Sequence, residues 1–327
     1  MNVLKTVLRA LISVSLLAYL IYLAEPAKIL EVLSGIWSGD GIGYLSGAVI
    51  LFMISYIVLS IRWQVLVSGY GLKIRTYVLF QYYLIGLFFN NFLPTGIGGD
   101  VLRIYNLIRR SGERTIGFAS VMTERLMGIT ATLILAIFSL LLFPTGLKTN
   151  LLLLIVVGML VGIILFFFLI FQDNFYKKFS AGVEKIKIFR FGERVLKFLE
   201  ALRFYHNSKS IYLKILIISL VSQSLMITMT FFLARALDIQ VSLMYLFFVV
   251  PITFLLTMLP SINGLGVREG GFVFLLGKIG VTEAAAISLS FTTILIPMVI
   301  SIAGGILFMM QKKIPKKEDI ENVEKNF

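Results

Sequence analysis

Apolar residues run along this chain in long blocks, near residues 6–24, 42–61, 118–143, 151–171, 211–234 and 284–310. An α-helix of about 20 apolar residues crosses the ~30 Å hydrocarbon core of a bilayer. The six blocks therefore predict six full spans. Two further runs, 77–93 and 243–259, hold 17 residues each and stop at breaks rich in proline and glycine. The stretch 90–105, NNFLPTGIGGDVLRIY, poses the main question of the pattern: Pro94, Gly96, Gly98 and Gly99, then Asp100 and Arg103, stand where a helix ought to be crossing.

The basic residues decide how the two short runs lie. Lys5 and Arg9 precede the first block; Arg62, Lys73 and Arg75 follow the second; Arg103, Arg109, Arg110 and Arg114 follow the first break; Lys177 to Lys214 form a long basic segment, and Lys312 to Lys317 a basic tail. Positively charged loops stay in the cytoplasm. The clusters at 62–75 and 103–114 share that side only if 77–93 enters, turns at Pro94–Gly99 and returns. The segment 243–279 must by the same count begin and end outside. The predicted fold is an all-α polytopic membrane protein with about six full spans and two re-entrant helical hairpins, 77–110 and 243–279, entering from opposite faces. Eight full spans is the alternative, since 17 helical residues extend roughly 25 Å. Both chain ends are expected in the cytoplasm of a cell-membrane protein, the N-terminal block as a retained signal anchor.

Composition agrees. The chain of 327 residues is 58% hydrophobic and only 14% charged, with a mean hydropathy of +0.95, which a soluble domain could not sustain. It has no cysteine and one histidine, so thiol chemistry and a histidine-built metal site are excluded. His206 lies in a basic polar stretch and reads as a solvated side chain. The net charge of +13 follows from cytoplasmic lysines and arginines and does not call for nucleic acid. No phosphate-binding glycine loop or dinucleotide fingerprint is present, and no cofactor is expected. Within 172–210, Val195, Phe198, Leu199, Leu202 and Tyr205 recur at helical spacing among Arg194, Lys197 and Arg203. That pattern predicts an amphipathic helix on an anionic membrane surface, against the simpler reading of a solvated connector. Residues 311–327 read as a charged cytoplasmic tail.

The two breaks resemble each other: FLPTGIGGDVLR (92–103) and MLPSINGLGVRE (258–269) share Leu-Pro, a hydroxyl residue, glycines, then valine and arginine. Oppositely oriented repeats with broken helices are a transporter architecture. Pro94 and Pro260 end the entering arms. Gly96, Gly98, Gly99, Gly264 and Gly266 permit tight turns and close backbone approach. A helix starting near Asp100 offers free N–H groups and a positive dipole end, and Arg103 lies one turn on; together they suit a phosphate. Asn263, Arg268 and Glu269 repeat the arrangement at the second break. Charges at membrane depth are costly and mark pathways, which favours function for Arg103 and Arg268. Asp100 serves equally well as a cap paired with Arg103. Glu124 and Arg125 are either a buried pair reaching a cavity or a pair at the cytoplasmic edge, Arg62 reads as an interface anchor, and Asn90 and Asn91 line the cavity or cap freed carbonyls.

At these residues the chain resembles a known family. FFNNFLPTGIGGDVLRIYNL (88–107), TERLMG (123–128), LPSINGLGVREGGFVFLL (259–276) and the pair Arg62–Trp63 are similar to signature stretches of the flippase-like membrane domain of lysylphosphatidylglycerol synthases. The resemblance covers about residues 1–310 and implies a lipid-translocation domain, with Asp100, Arg103, Arg268 and Glu269 in its motifs. The soluble aminoacyl-transferase domain of the synthases has no counterpart in this sequence, so lysyl transfer is not implied. The expected activity is movement of a phospholipid or polyprenyl-phosphate lipid between leaflets. An accessory subunit for a separate glycosyltransferase or lipid synthase is the alternative. A membrane-embedded enzyme using Asp100, Glu124 or Glu269 ranks below both, for want of a nucleophile–base pair.

Overall fold

The computed structural model describes residues 15, 17–37, 39–92, 98–142, 149–184, 196, 199–200, 202–203, 209–257 and 264–311. Regular structure among them is helical throughout: α1 (residues 17–23), α2 (Pro26–Ser34), α3 (Gly41–Gly69), α4 (Thr76–Phe92), α5 (Gly98–Ser111), α6 (Arg114–Leu142), α7 (Thr149–Phe171), α8 (Asp173–Glu184), α9 (Lys209–Ala236), α10 (Leu243–Leu256), α11 (Val267–Gly277) and α12 (Glu283–Met309). Five of them contain a stretch long and apolar enough to span: Gly41–Gly69, Arg114–Leu142, Leu154–Phe171, Ser210–Ala236 and Glu283–Met309. These match the second to sixth expected blocks. Of the first block, residues 17–23 are helical and the part before residue 15 lies outside the described residues.

Local signals set the helix ends. The Ser242 hydroxyl accepts from the Tyr245 N–H at 3.1 Å, and that of Thr282 from the Ala285 N–H at 3.3 Å, capping α10 and α12. At the other end of α3, Gly71 takes φ +82°, and the Gly71 and Leu72 N–H groups close onto the Ser68 and Val67 carbonyls. Pro251 and Pro297 sit inside α10 and α12, which membrane helices tolerate when neighbours satisfy the freed carbonyls.

Both short runs fold back on themselves. Asn90 Oδ1 accepts from the Gly99 N–H at 2.9 Å, and a Cβ built on Gly99 would stand 2.0 Å from the Gly86 carbonyl oxygen. Arm α4 therefore touches α5 backbone to backbone, antiparallel, and only glycine fits at Gly99. In the second hairpin the Tyr245 hydroxyl donates to the Leu275 carbonyl at 2.7 Å, and Gly264 lies against Thr257, so α10 and α11 are antiparallel too. Of the turn residues, Gly98, Gly99, Gly264 and Gly266 are described, whereas Pro94, Gly96, Pro260 and Asn263 lie outside the described residues. Helix α10, at 14 residues, extends only about 21 Å, short of a ~30 Å core.

Helix α3 pairs with α9, where the Ser55 hydroxyl donates to the Ser222 carbonyl at 3.2 Å. Helix α12 crosses α4 at Gly304, where a Cβ would lie 1.9 Å from the Leu84 carbonyl oxygen. Such glycine contacts are the usual means of close helix approach in lipid. One apolar core joins Phe52, Leu133, Leu233, Phe248, Leu276 and Leu289; a second gathers Trp63, Leu66, Leu79, Ile104, Leu107 and Val121 beneath the first hairpin. The outside of the bundle is as apolar as its inside, with Ile50, Leu154, Phe168, Ile217 and Leu295 all exposed. That is a surface made for hydrocarbon.

The basic amphipathic stretch departs from expectation where it is described. Leu199 and Leu202 are buried within the protein, the Leu202 carbonyl accepts from the Tyr212 hydroxyl at 2.7 Å, and Arg203 pairs with Asp173 and caps the Ile170 carbonyl at 3.0 Å. These leucines are taken up by neighbouring helices and are not left for the bilayer. Arg194, Val195, Lys197, Phe198, Tyr205 and His206 lie outside the described residues.

Candidate functional site

Polar side chains from five helices converge at one level of the bundle. Helix α3 contributes Arg62 and Trp63; α4, Tyr83; α5, Asp100 and Arg103; α6, Glu124 and Arg125; α9, Ser219. Glu124 is 2% exposed and is the hub. Its Oε1 accepts from Arg62 Nε at 3.1 Å and from the Tyr83 hydroxyl, and its Oε2 pairs with Arg103 Nη2. Arg103 also reaches Asp100 Oδ1 from Nη1 at 3.3 Å, and Arg125 Nε pairs with Asp100 Oδ2. The result is a ladder of alternating charge: Arg62, Glu124, Arg103, Asp100, Arg125. Three cations against two anions leave it a net +1.

Burial explains why the ladder is continuous. A lone charge in a low-dielectric interior is prohibitive, and pairing with added hydrogen bonds is the remedy. Arg62 gains a second acceptor, the Ser219 hydroxyl, at 2.9 Å. Arg103 lies between two rings, its guanidinium carbon 4.3 Å from the Trp63 centroid and 3.7 Å from that of Tyr83. Desolvated contacts of this kind strengthen cation–π attraction. Trp63 is in turn fixed by donating from Nε1 to the Ser120 hydroxyl at 3.0 Å. Gly86 makes room: a Cβ there would press within 2.9 Å of the Arg103 side chain.

The two ends of the ladder differ. At the inner end Glu124 is 2% exposed and both its carboxylate oxygens are engaged. At the outer end the Arg125 side chain is 45% exposed while that of Asp100 is 7% exposed. Donors without an acceptor among the described residues cluster nearby in sequence: Nε of Arg103 and Nδ2 of Asn91 and Asn106, with the Thr123 hydroxyl beside Glu124 also unpartnered.

The second hairpin carries a smaller, neutral cluster. Glu269 is fully buried. Its Oε2 accepts from the Gly266 N–H at 2.6 Å, the reach-back of a capping box; its Oε1 accepts from Arg268 Nη2 at 3.0 Å and from the Ser290 hydroxyl at 3.2 Å. Gly266 and Gly264 hold φ of +82° and +77°. Arg268 Nε is buried without a partner among the described residues.

Of the expected site residues, the structure brings Asp100, Arg103, Glu124 and Arg125 into one network and Arg268 and Glu269 into another. No described hydrogen bond or ion pair joins the two. Ser290, at the second cluster, and Gly304, packed at the level of the first, are 14 residues apart on α12, or about 21 Å along a helix. Asn90 acts as a scaffold for the first turn, holding the Gly99 N–H. Glu124 and Arg125 are divided in role, the first buried and the second at the rim. Arg62 corrects an expectation: it is 6% exposed and belongs to the ladder, not to the interface. Tyr83, Ser219 and Ser290 gave no advance signal. For Arg62 the one signal in the sequence was its place in the Arg62–Trp63 pair of the family resemblance, since its apolar run stops at residue 61 although the helix runs on to Gly69.

A site of this kind, charged, buried and made by a broken helix in a membrane bundle, defines a polytopic membrane protein with a polar centre. The chain matches the family model described as the lysylphosphatidylglycerol synthase TM region over residues 6–305, and it belongs to that family. It is similar to the UPF0104 membrane protein PH1989 of Pyrococcus horikoshii, 23% identical over 291 residues that cover 82% of this chain and 87% of that protein. No solved structure gives a significant match.

Proposed function

We propose that the protein translocates lipids bearing a phosphate-type anionic head group between the leaflets of the cell membrane. The observation that carries this reading is the net-positive buried ladder with its half-exposed cation at Arg125, set beside a helix start. Arginine pairs match phosphate oxygens bidentately, and charge held at membrane depth is characteristic of a pathway. The membrane domain of a lipid-synthase family is consistent with it.

With basic loops inside, both chain ends are cytoplasmic and the two hairpins enter from opposite faces. Arg62 then lies about 10 Å from the cytoplasmic end of α3, and Ser290 about 10 Å from the outer end of α12. The Arg103 and Arg268 clusters become successive stations for one head group, the tails staying in lipid. Rocking of one hairpin-bearing half against the other supplies alternating access. Fluorescent phosphatidylglycerol, phosphatidic acid, phosphatidylcholine and a polyprenyl-phosphate analogue, followed between leaflets of liposomes holding the purified protein, test the reading. Anionic lipids should equilibrate faster than phosphatidylcholine, and an Arg103→Ala/Arg268→Ala variant should be inactive while folded. A folded protein that moves none of these lipids would overturn it and turn attention to a partner transferase.

A further inference from the structure

The ladder is not uniform, and its asymmetry has a functional meaning that rests on the head-group reading above. Both anions neutralise arginines, but they are held differently. Glu124 engages two arginines and a tyrosine hydroxyl at 2% exposure. Asp100 is held by Arg103 Nη1 at a long 3.3 Å and by Arg125, whose own side chain is 45% exposed. Glu124 is locked from every side, whereas Asp100 bridges one buried cation and one that reaches the rim.

We propose that Asp100 is a built-in surrogate for the phosphoryl group: its carboxylate occupies the Arg103–Arg125 pair when the site is empty and is displaced by the phosphate of an incoming lipid. A carboxylate and a phosphate diester present the same two-oxygen edge to guanidinium donors. Without Asp100, Arg103 and Arg125 would share a membrane-embedded site with only Glu124 opposing them, a poor resting state. With it, the empty site is nearly balanced, and the ligand has a reason to leave, because Asp100 reclaims the arginines. Arg103 retains spare donor capacity for the arriving phosphate, since its Nε has no acceptor among the described residues. The inner half of the ladder, Arg62–Glu124–Tyr83, stays fixed and holds Arg103 in place through the exchange.

The geometry makes a prediction opposite in sign to that for an ordinary ligand-binding acid. Removing Asp100's charge should tighten binding. Trp63, 4.3 Å from the Arg103 guanidinium, is a local reporter once the other tryptophan, Trp37, which is exposed, is replaced by phenylalanine. In that full-length background, Trp63 fluorescence is titrated with phosphatidic acid and phosphatidylglycerol in mixed micelles, with phosphatidylcholine and inorganic phosphate as separate arms. Asp100→Asn should bind the anionic phosphatidic acid and phosphatidylglycerol about fivefold or more tightly, the lower range for a coupling of this kind, and zwitterionic phosphatidylcholine, whose phosphate is offset by its own cation, by less. Glu113→Gln, an exposed site at the start of α6 with the same charge change, should not, and Asp100→Asn/Arg125→Gln should lose the gain. Asp100→Ser repeats the test should the asparagine variant fail to fold, folding being checked by melting. Equal tightening toward inorganic phosphate keeps the surrogate and assigns the free ion as ligand; tightening confined to lipid assigns the head group. Unchanged or weaker binding by both Asp100 variants, with wild type binding normally, overturns the surrogate and leaves the head-group site standing. Wild type that binds neither phosphatidic acid nor phosphatidylglycerol overturns both.

Discussion

Replacing Glu124 by glutamine tests whether the ladder holds the bundle together. The side chain is 2% exposed and its two oxygens serve Arg62, Arg103 and Tyr83. Glutamine keeps the shape and one acceptor but removes the charge. Neither Arg62 nor Arg103 then faces an anion at residue 124, and the one remaining oxygen cannot serve both: either Arg62 falls back on the Ser219 hydroxyl or Arg103 on Asp100 at 3.3 Å. Breaking a buried pair by removing one partner costs about 3–5 kcal/mol. At roughly 2–4 °C per kcal/mol for a large domain, the melting temperature should fall by roughly 10 °C. The assay is thermal unfolding of the purified protein in a single detergent. Glu25→Gln is the comparator, because its pair with Lys28 is 62% exposed on the glutamate side and surface pairs contribute about 1 kcal/mol at most. A Glu124→Gln protein melting within about 2 °C of wild type would refute the assignment of Glu124 as the hub.

Gly99→Ala should prevent the first hairpin from closing, since its Cβ would sit 2.0 Å from the Gly86 carbonyl oxygen, while Gly158→Ala, with nothing within 4 Å, should be neutral; yield of folded protein and melting temperature distinguish them. Ser290→Ala removes one donor from fully buried Glu269 and should lower stability by about 1–3 kcal/mol in the same assay. Because the chain has no cysteine, single introduced cysteines report topology directly: Arg75→Cys and Ser111→Cys should label only from the cytoplasmic side, and Ser242→Cys and Lys278→Cys only from outside. Labelling of Arg75→Cys and Ser111→Cys from opposite sides would favour a fully crossing first run.

The spans were legible because apolar length at helical rise leaves few alternatives: 42–61 lies within α3 and 284–310 coincides with α12 almost residue for residue. The antiparallel pairing of α4 with α5 and of α10 with α11 was legible for a different reason, the Pro/Gly break that ends each short run. The boundary of α3 was not, and this misplaced Arg62. Its apolar run ends at residue 61, so the arginine reads as the edge of the span, although the helix continues through Trp63 to Gly69 and packs both residues inward. Sequence carries no mark of which neighbour will supply a counter-charge from another helix, so Glu124 could be placed equally in a cavity or at an edge. Tyr83 and Ser219 were invisible for the same reason: each is an ordinary membrane-helix residue until the fold sets it against a charge. Leu199 and Leu202 show the converse, an amphipathic pattern that identified a buried face but not that protein, rather than lipid, would cover it.

Leaflet equilibration of tail-labelled phosphatidylglycerol, read as the fraction bleached by an impermeant reductant, bears most directly on the central proposal. Liposomes with wild-type protein should expose nearly all of the label, and those with folded Arg103→Ala only the outer-leaflet share found in protein-free liposomes. Equal bleaching with wild-type and Arg103→Ala protein, or none above protein-free liposomes with wild type, would contradict a head-group pathway through the buried ladder.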